Sequence, residues 1–305
     1  MNTKPQTQHN TDKKKAEIDP YITQSKKLLF STLNCCESQI IPFQNANDMD
    51  DELLLKAVTG LAGGLYNRGS TCGVVLGAAI DLALLKNKTL GVWTPGDQLS
   101  LLNQVADYVN WFEEEFEGCL CRDRVELDFQ TIRGKVGLLF PKKARGCVKQ
   151  SALSMKYLLD EKNIINHPKT CSAYKHCATD VLKIVRKKTG RGADTIEQLS
   201  TVFDGGIGLS GGGCGALIGG LIALGLRFGY EHSKQTAFKR SDIFRTIPRH
   251  YSKVANQLID QFKAKYGALE CVGITGEKID GFESFLEQRE NCQSLIEWVA
   301  EKASE

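Results

Sequence analysis

The chain has 305 residues, 42% of them hydrophobic and 25% charged, with a net charge of +3 at pH 7. That length accommodates two domains of ordinary size, and the composition is that of a soluble globular protein. So small a net charge argues against a nucleic-acid binder, and the basic clusters at 13–15, 142–145 and 186–191 read as solvated faces and helix ends.

Residues 1–20 are polar and lack an apolar core, so they are expected to form a disordered tail and not an export signal. Without export the cysteines would sit in a reducing compartment, the cytoplasm, where stable disulfides are disfavoured and metal or redox chemistry is the better expectation. From Ile22 onward helical periodicity dominates. The spacing predicts helices over Ile22–Ile40, Asp50–Leu61, Cys72–Leu85, Asp97–Phe116 and Cys147–Leu159. After a linker around Asn163–Lys169 it predicts Cys177–Val185, Asp194–Phe203, Cys214–Phe228, Ile247–Tyr266 and Phe282–Ala300. The apolar run from Cys214 to Phe228 is too short to span a membrane and reads as a buried helix.

The second series repeats the first. Cys35 and Cys72 are 37 residues apart, as are Cys177 and Cys214, and the two pairs are offset by 142. At that offset Gly63, Gly64, Gly69, Cys72, Gly73 and Gly77 all meet identical residues. Phe112, Phe116 and Cys121 have the spacing of Phe262, Tyr266 and Cys271, and Cys147 has Cys292 as its counterpart. The expected fold is all-α: two tandem homologous helical bundles, residues 21–162 and 163–305, each with a glycine-rich loop leading into an apolar helix.

Eight of the eleven cysteines thus form two quartets, Cys35, Cys72, Cys121, Cys147 and Cys177, Cys214, Cys271, Cys292, with Cys36, Cys119 and Cys171 left over. Cys72 and Cys214 sit where a loop becomes a helix. Unpaired N–H groups and the positive end of the helix dipole converge there and favour a thiolate, the form that binds metal and attacks disulfides. Four thiolates converging from separate helix ends suit zinc or an iron–sulfur cluster. Gly73, Gly77, Gly215 and Gly219 lie four apart in pairs on one helical face, where a bound group or a neighbouring helix could approach the backbone. His176, directly before Cys177, is a candidate donor to that site. No P-loop, nucleophile elbow or HExxH pattern is present.

These residues resemble the C-GCAxxG-C-C family of redox-active proteins. Its central element stands intact as Cys214-Gly215-Ala216-Leu217-Ile218-Gly219 and, with valine for alanine, as Cys72-Gly73-Val74-Val75-Leu76-Gly77. Its first cysteine is matched in Asn34-Cys35-Cys36-Glu37 and His176-Cys177-Ala178-Thr179, its third at Cys121 and Cys271, its fourth at Cys147 and Cys292. The resemblance implies a helical fold and redox activity. Through a related domain of split-Soret cytochromes it also implies an iron–sulfur centre on the two quartets.

Three readings follow. In the first, each repeat binds one iron–sulfur cluster, of the 2Fe–2S type and up to two per chain, and exchanges electrons with a partner protein. In the second, Cys72 and Cys214 are metal-free thiol–disulfide nucleophiles. In the third, the quartets hold zinc in a scaffold or small-ligand binding protein. Whether the chain is an enzyme, and whether it self-associates into a homo-oligomer, are left open by the sequence.

Overall fold

The computed structural model describes residues 6–125, 131, 141–164, 167, 170–231 and 247–305. Fourteen α-helices form this described part, with no strand longer than an isolated bridge. The first copy contributes α1 (Gln6–Thr32), α2 (Glu37–Ala46), α3 (Glu52–Ala57), α4 (Gly73–Leu90), α5 (Pro95–Phe116), α6 (Cys121–Val125) and α7 (Pro141–Leu159). The second contributes α8 (Ala178–Thr189), α9 (Asp194–Leu199), α10 (Gly215–Phe228), α11 (Arg249–Tyr266), α12 (Cys271–Thr275), α13 (Gly281–Glu290) and α14 (Gln293–Ser304). Single 3-10 turns, Val58–Gly60 and Ser200–Phe203, follow α3 and α9.

Two of the expected helices are interrupted. The run from Ile22 to Ile40 divides because Leu33 takes a left-handed conformation, φ 55°, and its N–H closes on the Leu29 carbonyl, a helix-terminating geometry. The run from Phe282 to Ala300 divides at Asn291 and Cys292, where the Cys292 N–H bonds the Arg289 carbonyl and leaves Cys292 at the start of α14. Residues from Gln6 onward, expected in a disordered tail, lie in α1. This helix docks on α2 and α7 through a wholly buried polar cluster. Ser151 Oγ meets Ser25 Oγ at 2.6 Å and Ser38 Oγ at 2.9 Å, and Gln39 Nε2 donates to it at 2.8 Å.

The central helices α4 and α10 are apolar on nearly every face, as their sequences require of helices enclosed by protein. Each packs against its own copy and also reaches into the other: α10 meets α3 and its 3-10 turn, while α4 meets α9 and the turn at Ser200–Phe203. One apolar core therefore runs through both repeats, with Val75, Leu76 and Phe112 continuous with Leu217, Phe262 and Val299. Such reciprocal contacts are those of a two-fold interface made within one chain. At its centre the Gly213 N–H donates to Thr71 Oγ1 at 2.8 Å, a contact between residues that are each other's counterparts.

The glycine-rich loops are the least ordinary part of the backbone. Five successive residues take positive φ in each: Gly63 to Asn67, 53° to 73°, and Gly205 to Leu209, 57° to 73°. For an L-residue this costs roughly 1–2 kcal/mol. Burial of Leu65 and Ile207, each fully enclosed, offsets that cost with about 1.5–3 kcal/mol apiece. Gly64 and Gly206 cannot be otherwise, because a Cβ on either would strike the loop's own backbone at Ser70 or Gly212.

Candidate functional site

The loop geometry sets the cysteines. In the first copy the Cys72 N–H donates to the Cys119 carbonyl and the Cys121 N–H to the Ser70 carbonyl, both at 2.8 Å. In the second the Cys214 N–H donates to the Leu269 carbonyl at 2.8 Å and the Cys271 N–H to the Gly212 carbonyl at 2.6 Å. These paired bonds clamp the start of the central helix to the start of the short helix, so the second and third cysteines of each quartet are neighbours. Neither α6 nor α12 was expected, since five residues carry no readable period.

The first cysteine reaches the same place over glycine. A Cβ at Gly73 would stand 2.5 Å from Cys35 Sγ, and one at Gly215 would stand 2.8 Å from Cys177 Cβ. Gly77 and Gly219 press in turn on the backbone at Cys36 and Ala178. What these four glycines admit is thus the segment that bears the first cysteine, and the Gly63 N–H donates to Cys35 Sγ at 3.4 Å.

All four members of the first quartet, Cys35, Cys72, Cys121 and Cys147, line one cavity of ≈ 50 Å³. Its wall includes Leu29, Phe30 and Leu33 of the α1 end, Val74 and Val125, and the polar Asn67, Arg124 and Gln150. In the second quartet Cys177 and Cys271 share one apolar cluster, the clamp bonds set Cys214 beside Cys271, and Cys292 lies near enough to act on the charge of Cys214 and Cys271. Around it stand Tyr174, Phe282 and Phe285, which contact one another edge-on at 4.9 Å and 6.2 Å from Tyr174. All eleven cysteines are free thiols.

Six of the eight quartet cysteines stand at helix N-termini. Cys72, Cys177, Cys214 and Cys292 immediately precede α4, α8, α10 and α14, and Cys121 and Cys271 open α6 and α12. The Val74 N–H points at Cys72, and those of Leu217 and Ala216 at Cys214. These amides do not produce the low pKa expected of a nucleophile. Burial pushes the Cys72 thiol well up, with the neighbouring Cys35 and Cys147 adding to it. Cys214 is raised by burial to about 11, its backbone donors opposing only in part. Cys147 is likewise raised by burial to about 11. Cys36 lies in the apolar core without exposure, Cys119 lends its carbonyl to Cys72, and Cys171 is half-exposed on the segment before α8.

His176 is tied to a carboxylate beside the second quartet. Its Nδ1 meets Asp204 Oδ2 at 2.7 Å while Asp204 Oδ1 accepts the Cys177 N–H at 2.7 Å. Arg289 Nε donates to the His176 carbonyl at 2.7 Å, and its Nη2 to Asp180 Oδ2 at 2.8 Å. The sequence pointed to His176 alone. Asp204 and Arg289 escaped it because their counterparts in the first copy are not acidic or basic, so the repeat carried no signal.

A profile described as "Putative redox-active protein (C_GCAxxG_C_C)" matches residues 33–159 and 175–305, one match for each quartet and together most of the chain. The chain belongs to this family. Membership supports a redox role, and the double match shows that the family unit is present twice. Comparison with curated proteins and with solved structures returned no match. Among the described residues no helix is long and apolar enough to cross a membrane.

Proposed function

We propose that this member of the family is an electron-transfer protein of a reducing compartment such as the cytoplasm, with an iron–sulfur cluster of the 2Fe–2S type in each repeat. The observation that carries the reading is the cavity onto which Cys35, Cys72, Cys121 and Cys147 open from four separate segments. Thiolates are the characteristic protein ligands of such clusters. Four thiols from four segments make up the four-cysteine ligand set of such a cluster, a set that zinc also accepts.

A bound cluster would supply a one-electron couple. The chain's own part is to hold and insulate it. Cys35, Cys72, Cys121 and Cys147 in one repeat, and Cys177, Cys214, Cys271 and Cys292 in the other, would be the ligands. Helix N-termini offer N–H donors to sulfur, which favour negative charge there. Leu29, Val74 and Val125 would shield it in the first repeat, and the joint core holds the two sites in one body for exchange with a redox partner protein.

Iron and acid-labile sulfide should both be present in protein purified without oxygen from iron-replete cells, with a visible spectrum reduced by about half in Cys214→Ser and in Cys72→Ser. Colourless, iron-free wild-type protein prepared in that way would sink the reading. Stoichiometric zinc in its place would establish the scaffold alternative.

A further inference from the structure

Each thiol quartet has one arginine beside it, and the two come from positions that the duplication does not relate. In the first copy it is Arg124, three residues beyond Cys121, which lines the cavity together with the four cysteines. Its guanidinium donates to the Gly118 carbonyl at 2.9 Å and to that of Phe116, and lies over the Phe112 and Phe116 rings, 5.3 Å and 5.1 Å from their centroids. At the matching position of the second copy stands Ile274. There the arginine is Arg289, three residues before Cys292, where the first copy has Ala144.

Arg289 is only 2% exposed. It is wedged between the peptide preceding Cys177, to whose His176 carbonyl Nε donates, and Cys292, whose N–H its own carbonyl accepts at 3.0 Å. Asp180 holds Nη2. Nη1 is buried and has no hydrogen-bond partner. Leaving such a donor unsatisfied is unfavourable, and more so for a charged group. With two of its three nitrogens fixed, the guanidinium cannot swing away to find water.

We infer that Arg124 and Arg289 are two independent answers to one requirement, the matching of each quartet to a net-anionic bound group, and that Arg289 Nη1 is held for an acceptor sulfur of that group in the second repeat. The inference rests on the cluster reading and adds to it which residues set the potential of each centre. A fixed cation that donates to sulfur stabilises the more negative, reduced form and so raises the reduction potential.

The test is a spectroscopic redox titration of the iron-loaded protein, with iron counted and folding checked by circular dichroism in every variant. Arg289→Gln is expected to retain iron and to lower one of the two couples by at least a tenfold shift in its equilibrium, 59 mV for one electron. Arg289→Lys, which keeps charge but loses the fork, should lower the same couple by less, and Arg124→Gln should lower the other. Asp180→Asn, at a half-exposed position, should raise the couple that Arg289→Gln lowers, by removing the partner that neutralises part of its charge. Folded, iron-replete Arg289→Gln with both couples unchanged overturns the inference. If that variant does not fold, unchanged potentials in both Arg289→Lys and Asp180→Asn overturn it. Iron-free wild-type protein fails the cluster reading itself, a result visible before any variant is made.

Discussion

In the first repeat the thiols open onto a cavity whose outer wall is the end of α1, with Phe30 73% exposed and Leu33 39% exposed beside it. Among the described residues the second repeat has no counterpart of α1, and its thiols stand against Tyr174, Phe282 and Phe285 instead, with a buried Asp204–His176 pair and Arg289 beside them. Loop backbone, clamp hydrogen bonds and the helix starts at the second and third cysteines are nevertheless the same in both, whereas Cys177 and Cys292 also precede helices directly and Cys35 and Cys147 do not. The lesson is that this fold keeps constant what brings the second and third sulfurs together, while the setting of the first and fourth and the shell around all of them differ between copies. Val74, which the sequence marks as a departure from the family pattern, lies in the cavity wall of the first repeat, where Ala216 is its smaller counterpart.

The comparison can be broken most forcefully at the glycines. In Gly215→Ala the new Cβ meets the Phe203 carbonyl oxygen and Cys177 Cβ, so backbone must shift, and a loss of about 3 kcal/mol in urea unfolding is expected. In Gly73→Ala the nearest atom is Cys35 Sγ, a side-chain end that can turn aside, while the Leu61 carbonyl oxygen at 3.1 Å and Ala62 Cα at 3.2 Å need give only slightly, and about 1–2 kcal/mol is expected. Equal losses would mean that the two first cysteines are held alike.

Asp81 sharpens the contrast between the central helices. It is fully buried in α4 with neither carboxylate oxygen bonded, whereas the matching position in α10 is Ala223. Burial raises its pKa well above the ordinary value, so the folded chain keeps a proton that the unfolded chain releases. Its contribution to stability is therefore full below the ordinary carboxylate range and declines as pH rises toward the folded pKa, by at most about 1.4 kcal/mol per pH unit. Asp81→Asn should remove that slope, leaving a variant that gains on the wild type as pH increases in unfolding curves taken from acid to neutral pH. Parallel curves would show that Asp81 is ionised and paired in the fold.

The smallest effect concerns the ends of α5 and α11. Glu117 closes α5 with φ 63°, and its counterpart Gly267 closes α11 with φ 81°. Glu117→Gly should stabilise the first repeat by about 1 kcal/mol, read from thermal unfolding, because glycine takes this conformation without a Cβ penalty.

Much of the arrangement could be read from the sequence for reasons that are physical. Glycine spacing at Gly63–Gly77 and Gly205–Gly219 marked the loops because only glycine tolerates their close backbone contacts, and apolar runs after Cys72 and Cys214 marked helices that water does not reach. The interruptions at Leu33 and Cys292 were not legible, since each is made by local backbone bonding of residues that would equally continue a helix. At Cys72 and Cys214 burial raises the thiol pKa where the helix start alone would lower it, and the sequence carried no sign of that depth. Arg124 and Arg289 were hidden by the repeat itself: a search for what the copies share passes over what each acquired alone.

The bond between Thr71 and Gly213 joins two positions that descend from one. A half-length chain would leave the faces of its central helix without cover, and it would have to meet a second molecule of itself to bury them. Fusing the halves made that encounter independent of concentration. It also let one side take a hydroxyl where the other kept a bare amide, a division of labour that identical subunits cannot adopt.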